Sequence, residues 1–140
     1  MKVYWAPAGR SIVASLDHGA DLITSIKGIA EENGVKAGVF WIIGAVKRAT
    51  IGYYDQVERS YVKVSMDEPL EIASCIGNIA QFKGEILIHA HITLADRSGK
   101  AFGGHLYEDT IVYAAELYLT ELNLRLEREY DETTGLNLLK

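Results

Sequence analysis

A chain of 140 residues suits one domain, and 49% hydrophobic with 24% charged residues allows a buried core and excludes wholesale disorder. The formal charge of -5 argues against nucleic acid as a direct partner, because phosphate contacts need a surplus of Lys and Arg. The single cysteine, Cys75, excludes an intrachain disulfide and fits a reducing, cytoplasmic setting, while no apolar run approaches the length of a membrane span.

In chain order, Arg10 to Leu16 reads as a strand and Asp17-His18-Gly19 ends it. The period then changes. Leu22, Ile26 and Ile29 recur at helical spacing, Asp21 suits the N-cap and Gly34 the stop, so a helix is predicted over Asp21 to Asn33. Gly28 within it is read as a point of close packing against the sheet. Val35 to Val46 is apolar enough for a buried central strand. Lys47 to Tyr54 continues it or follows a bend at Gly44.

Tyr61 to Val64 and Leu70 to Ile76 alternate, and Gly77-Asn78 ends or kinks the second of these. Ile111 to Leu122 is a long strand with Ile111, Tyr113, Ala115, Leu117 and Leu119 facing one way. Leu124 to Tyr130 forms a last edge strand before a turn at Asp131 to Gly135. One helix and many strands at hairpin spacing predict a single α+β domain over residues 1–140. Its sheet is largely antiparallel, with one main helix packed on it.

Three of the four histidines cluster in Ile86 to His105. Side chains alternate along a strand. Ile86, Ile88, Ala90, Ile92 and Leu94 therefore share a core face, and His89 and His91 share the other. Asp96-Arg97-Ser98-Gly99-Lys100 suits a three-residue hairpin loop with Gly99 in the left-handed conformation. That register sets His105 opposite His91, with His89 on the diagonal. A four-residue loop would turn His105 away, and a bulge at Gly103-Gly104 would re-aim it. Three neutral imidazoles with an open fourth position are a standard zinc arrangement, although imidazole also suits other divalent transition metals. The alternative is that the histidines hydrogen-bond within the sheet or at a subunit boundary.

Around them, Glu71 is either a solvated strand carboxylate or a group that orients a histidine or serves as a base on bound water. Asn78 is a turn residue by default. Cys75 is read as a small buried hydrophobe, His18 as a loop histidine, and Asp96, Arg97 and Lys100 as hairpin-tip groups. No Walker-type loop, Gly-x-Ser-x-Gly elbow or Cys-x-x-Cys pair is present, which argues against nucleotide hydrolase, α/β-hydrolase and redox readings.

The chain resembles the PPC (plants and prokaryotes conserved) domain family in its stand-alone prokaryotic form. The resemblance is carried by Gly44 to Ala49, Pro69-Leu70-Glu71-Ile72, Gly77-Asn78-Ile79-Ala80, His89-Ala90-His91 and Gly103-Gly104-His105-Leu106, in that order. It spans roughly Arg10 to Glu121. It implies an antiparallel α+β domain assembled as a homotrimer, with His89, His91 and His105 as ligands of a metal, usually zinc. Glu71 and Asn78 match positions near that site, and Gly103 and Gly104 border it. The family also carries a DNA-binding label, yet no Arg-Gly-Arg-Pro segment occurs here and Lys47-Arg48 is the only adjacent basic pair. Three readings follow: a metal-binding module, a DNA-binding transcriptional regulator, and a metal-dependent enzyme acting on a small-molecule ligand with Glu71 as base.

Overall fold

The computed structural model describes all 140 residues. The alternating stretches become nine strands: β1 (Ala8–Leu16), β2 (Gly38–Asp55), β3 (Ser60–Met66), β4 (Leu70–Phe82), β5 (Glu85–Ala95), β6 (Ala101–Leu106), β7 (Ile111–Leu122), β8 (Arg128–Asp131) and β9 (Leu136–Leu139). The helical stretch becomes α1 (Leu22–Glu32). Asp21 caps it by accepting the Thr24 N–H, which satisfies one of the free donors of the first turn. Gly34 follows at φ +68°, past the C-terminal end.

Every pairing among β1–β7 is antiparallel, in the order β1-β7-β2-β4-β5-β6. The long strand β2 does two jobs. Its first half lies between β4 and β7. Its second half lies between β3 and β6, with Gly52 opposite His105. The β2–β6 pairing joins the last strand of the path back to β2, so β2, β4, β5 and β6 form a closed ring. The buried face of α1, Leu22, Ile26 and Ala30, packs into the same core as Phe40, Ile42, Ile79, Ile92, Leu94 and Leu117. Each large aliphatic chain buried this way contributes roughly 1.5–3 kcal/mol.

Several expectations change in three dimensions. β4 does not stop at Gly77-Asn78 but runs on to Phe82. A Cβ at Gly77 would lie 2.4 Å from Phe40 Cζ and 2.6 Å from the His89 carbonyl oxygen, so this glycine lets β5 and the core close in. β7 does not keep one parity: Val112 is buried, Tyr113 is exposed and Ala115 is buried again. The cause is a pair of register shifts against β2 between Ala45 and Arg48. Gly44, at φ +140°, makes that bend, and a Cβ there would meet the Ala114 carbonyl oxygen at 2.2 Å. Gly28 makes no close contact, since a Cβ there would meet nothing within 4 Å.

The stretch read as a buried central strand is buried on one side only. Val39, Trp41 and Ile43 project outward and are 40–49% exposed. Cross-strand pairing aligns one outward row across the sheet, Val13, Tyr118, Trp41, Ile76, His91 and His105. Trp41 and Tyr118 stack within it at 5.6 Å between ring centroids. The expected edge strand over Leu124 to Tyr130 begins only at Arg128, and it pairs with an unforeseen β9 in a separate two-stranded sheet. The predicted turn at Asp131 to Gly135 joins them, with the Asp131 carboxylate accepting from Thr134 N and Oγ1. Leu126 is buried, and its carbonyl accepts the Gln81 N–H, which ties this segment to the end of β4.

Two glycine substitutions separate these roles. Gly28→Ala should raise the unfolding free energy by about 0.5–1 kcal/mol in denaturant titration, because it removes a helix-interior glycine from open space. Gly44→Ala should lower it by about 2–5 kcal/mol through backbone strain and overpacking. Cys75 is fully buried and its thiol is pushed up to about 12 by desolvation. Native protein should therefore resist a thiol reagent at pH 8 and react on denaturation.

Candidate metal centre

The β5–β6 hairpin delivers the histidines. Asp96 and Lys100 close a three-residue loop through the Asp96 N–H to the Lys100 carbonyl (3.0 Å), with Gly99 at φ +82°. The Asp96 carboxylate stiffens the loop by accepting from Ser98 N, Ser98 Oγ and Lys100 N, and these bonds hold it below the usual carboxylate range. The pairing then runs without a bulge from Ala95↔Ala101 to His91↔His105. Gly103 and Gly104 do not line the site. A Cβ at Gly103 would lie 2.3 Å from the Ile92 carbonyl oxygen, and one at Gly104 would lie 2.6 Å from the Gly52 carbonyl oxygen. They let β6 fit between β5 and β2, which is what seats His105.

His89, His91 and His105 come together, with ring centroids 5.2–5.7 Å apart. Their nearest ring nitrogens all lie within 4.8 Å of one another. An ion at the middle of such a triangle would sit roughly 2.8 Å from each nitrogen, so reaching the 2.0–2.1 Å of zinc–imidazole needs each ring to move by less than about 1 Å. The donor set also asks for a partner: His105 Nδ1 is buried and makes no hydrogen bond. A buried nitrogen left this way is costly, and an electron-pair acceptor such as a divalent cation relieves it.

The electrostatics favour the ligating form of imidazole. His105 is brought down to about 4, first by desolvation and then by His89, His91, Arg128 and Lys63. His89 is lowered by desolvation, then by Arg128 and His91. Both rings are neutral at pH 7, as metal ligation requires. The sign for folding follows. The unfolded chain protonates first, so without an ion His105 withdraws stability as pH falls from the ordinary 6.5 toward about 4.

The surroundings differ from the sequence expectation. Asn78 lies directly across from His89, but its Oδ1 accepts from Arg128 Nη2 at 2.8 Å rather than from a histidine. Glu71 does not reach the site. It pairs with Ala95, four residues along β5 from His91, or about 13 Å of strand. It instead lines a separate groove with Lys47, Arg97 and Tyr113. His18 is a loop residue whose Nδ1 contacts the Tyr113 carbonyl oxygen. Arg48 of the basic pair is held by Asp109.

Arg128, from the outer hairpin, was not singled out by motif. It is 8% exposed, donates from Nη1 to the Asn137 carbonyl oxygen at 2.8 Å, and brings Nη2 to 3.4 Å from His89 Nδ1. Its signal was parity: Leu124, Leu126 and Arg128 alternate in phase, which sets a charge on the apolar side of the stretch. Tyr61 and Tyr107 complete the wall, with ring centroids 5.0 and 4.9 Å from His105. A pocket of about 290 Å³ opens over His89 and His105 beneath β9.

Comparison with known proteins places these features in a family. Over the whole chain, the metal-containing protein from Archaeoglobus fulgidus is 40% identical with a TM-score of 0.95, covering 100% of this chain and 99% of that one. A plant- and prokaryote-conserved protein from Pyrococcus horikoshii is 32% identical with a TM-score of 0.94, covering 100% and 97%. A candidate DNA-binding protein from Ralstonia eutropha is 29% identical with a TM-score of 0.84, covering 91% and 89%. The bifunctional protein GlmU of a Synechococcus strain is 32% identical over 120 residues, which are 84% of this chain but only 18% of that protein. The Plants and Prokaryotes Conserved (PCC) domain profile matches residues 6–123, and the chain belongs to that family.

Proposed function

We propose that this protein is a metal-binding module in which His89, His91 and His105 hold one divalent transition ion, zinc foremost. The observation that carries this reading is the convergence of three ring nitrogens within 4.8 Å while buried His105 Nδ1 has no partner. The 40% identical relative from Archaeoglobus fulgidus is named a metal-containing protein, which supports it. A bound ion of this kind supplies Lewis acidity and lowers the pKa of a coordinated water. The chain's own contribution is to favour the neutral forms of His89 and His105, to orient the three rings through the hairpin register and to hold Arg128 beside them.

We further propose that the working unit is a homotrimer built through the outward row. Trp41, Ile43, Ile76 and Tyr113 are 49–64% exposed, a group of large apolar side chains of the kind that marks an interaction surface. That row runs on through His91 to His105, so a second copy seated on it borders the metal site. A DNA-binding role finds less support, because Arg48 is engaged by Asp109 and the net charge is -5.

Protein purified without a histidine tag should carry about one ion per chain by elemental analysis, and His91→Ala should lose it. Absence of an ion after zinc reconstitution would sink the assignment. Light scattering should give three times the chain mass, with Trp41→Glu dissociating the assembly; a monomeric wild type would refute the trimer. Gel shift with A·T-rich duplex at low salt should show no complex.

A further inference from the structure

The further step concerns what the pocket over the histidines takes, and it rests on the metal reading above. Arg128 is a buried guanidinium with no counter-charge. It enters none of the protein's five ion pairs. The neighbouring acids are already engaged: Glu127 with Arg125, Glu129 with Lys140, and Asp131 with its own turn. Of the five N–H donors of a guanidinium, two reach neutral oxygens, on Asn78 and Asn137, Nη2 also lies 3.4 Å from His89 Nδ1, and buried Nε has no acceptor at all. A buried cation without a carboxylate is costly unless something else balances it.

The pocket wall makes the imbalance sharper. It contains no Asp or Glu. Imidazole ligands bring no negative charge, so a divalent ion would add its full charge next to the guanidinium, and no carboxylate lines the pocket to offset either. Apart from Asn137, whose carbonyl oxygen already accepts from Arg128, the rest of the wall is mostly apolar or aromatic, with Tyr61 from β3, Leu87 from β5, and Leu136 and Leu138 from β9. A volume of about 290 Å³ admits a small molecule and no more. The cavity therefore has one strongly positive end and one apolar end.

We infer that this pocket binds a short-chain carboxylate with an apolar tail, one carboxylate oxygen on the ion and the other on Arg128, the tail lying against Leu136 and Leu138. A carboxylate fits because it offers one anionic oxygen to a cation and the other to a charge-assisted N–H bond from a guanidinium. Arg128 is in this reading a binding and positioning residue. The hairpin that carries it is pinned from outside, by Tyr54 OH to the Thr134 carbonyl (2.7 Å) and Arg59 Nη1 to the Glu132 carbonyl (3.0 Å), so the guanidinium is held before any ligand arrives. Inorganic phosphate shares the anionic oxygens but lacks the tail, and the two are separable.

The test uses the full chain loaded with cobalt(II), whose visible spectrum reports its ligands. Butyrate should change that spectrum saturably, bind more tightly than acetate or inorganic phosphate, and be unmatched by butyramide, the neutral isostere. Arg128→Gln should weaken butyrate at least about tenfold while cobalt stoichiometry holds, the scale of a lost charge-assisted hydrogen bond. Because Arg128 is buried, Leu136→Glu is the second variant: it sets a carboxylate within the pocket and should weaken butyrate comparably. One cobalt per chain with no response to butyrate overturns this inference alone. So does equal binding of butyramide, tighter binding of phosphate, or full butyrate affinity in both variants. A chain that takes up no cobalt overturns the metal reading and this inference with it.

Discussion

The register of β5 against β6 is the constraint on which both the fold and the site depend. One three-residue turn, held by the Asp96 carboxylate, sets Ala95 opposite Ala101, and every pairing beyond it follows at two-residue period. A slip of one residue would expose Ile92 and Leu94 and bury His91. The cost of exposing those two side chains, roughly 1.5–3 kcal/mol each, makes the slip unfavourable before any ion is considered. The hydrophobic effect thus sets the geometry of a polar site by fixing the other face of the same strand.

Ring closure adds the second constraint. β6 has to lie between β5 and β2 at a separation that side chains at Gly103 and Gly104 would not permit. The Gly-Gly-His run is a packing device first: two missing side chains bring β6 into place, and His105 is the residue that arrives. Phe40 under Gly77 does similar work on the β4 side. Residues that look like a pocket motif in the sequence are close-approach positions in the fold, and the pocket is walled by others.

Those others come from far away in the chain. Arg128 reaches Asn78 and His89 across sequence separations of 50 and 39 residues, from a small hairpin outside the main sheet. That hairpin roofs the histidines and supplies the fixed positive charge. On the opposite side the site runs into the exposed apolar row through His91 and Ile76. The site therefore lies between two very different boundaries, a charged roof from its own tail and an apolar face.

Much of this was legible in the residues themselves. The apolar parity of Ile86 to Leu94, the Asp-x-Ser-Gly turn and the Asp21 cap are local: each depends on neighbours within a few residues, where steric and hydrogen-bonding rules act directly. Together they determined the helix, the β5–β6 hairpin and the convergence of His89, His91 and His105. What spacing alone did not determine was non-local. The bend at Gly44 and the register shifts beside it reversed the parity of Tyr113, because β2 changes register there against both β4 and β7. Glu71 had the right parity but the wrong position along its strand, since strand pairing rather than chemistry sets it against Ala95. Arg128 entered because the tail folds back over the ring. Tertiary structure alone decides such contacts, since their enthalpy is realised only after distant segments have met.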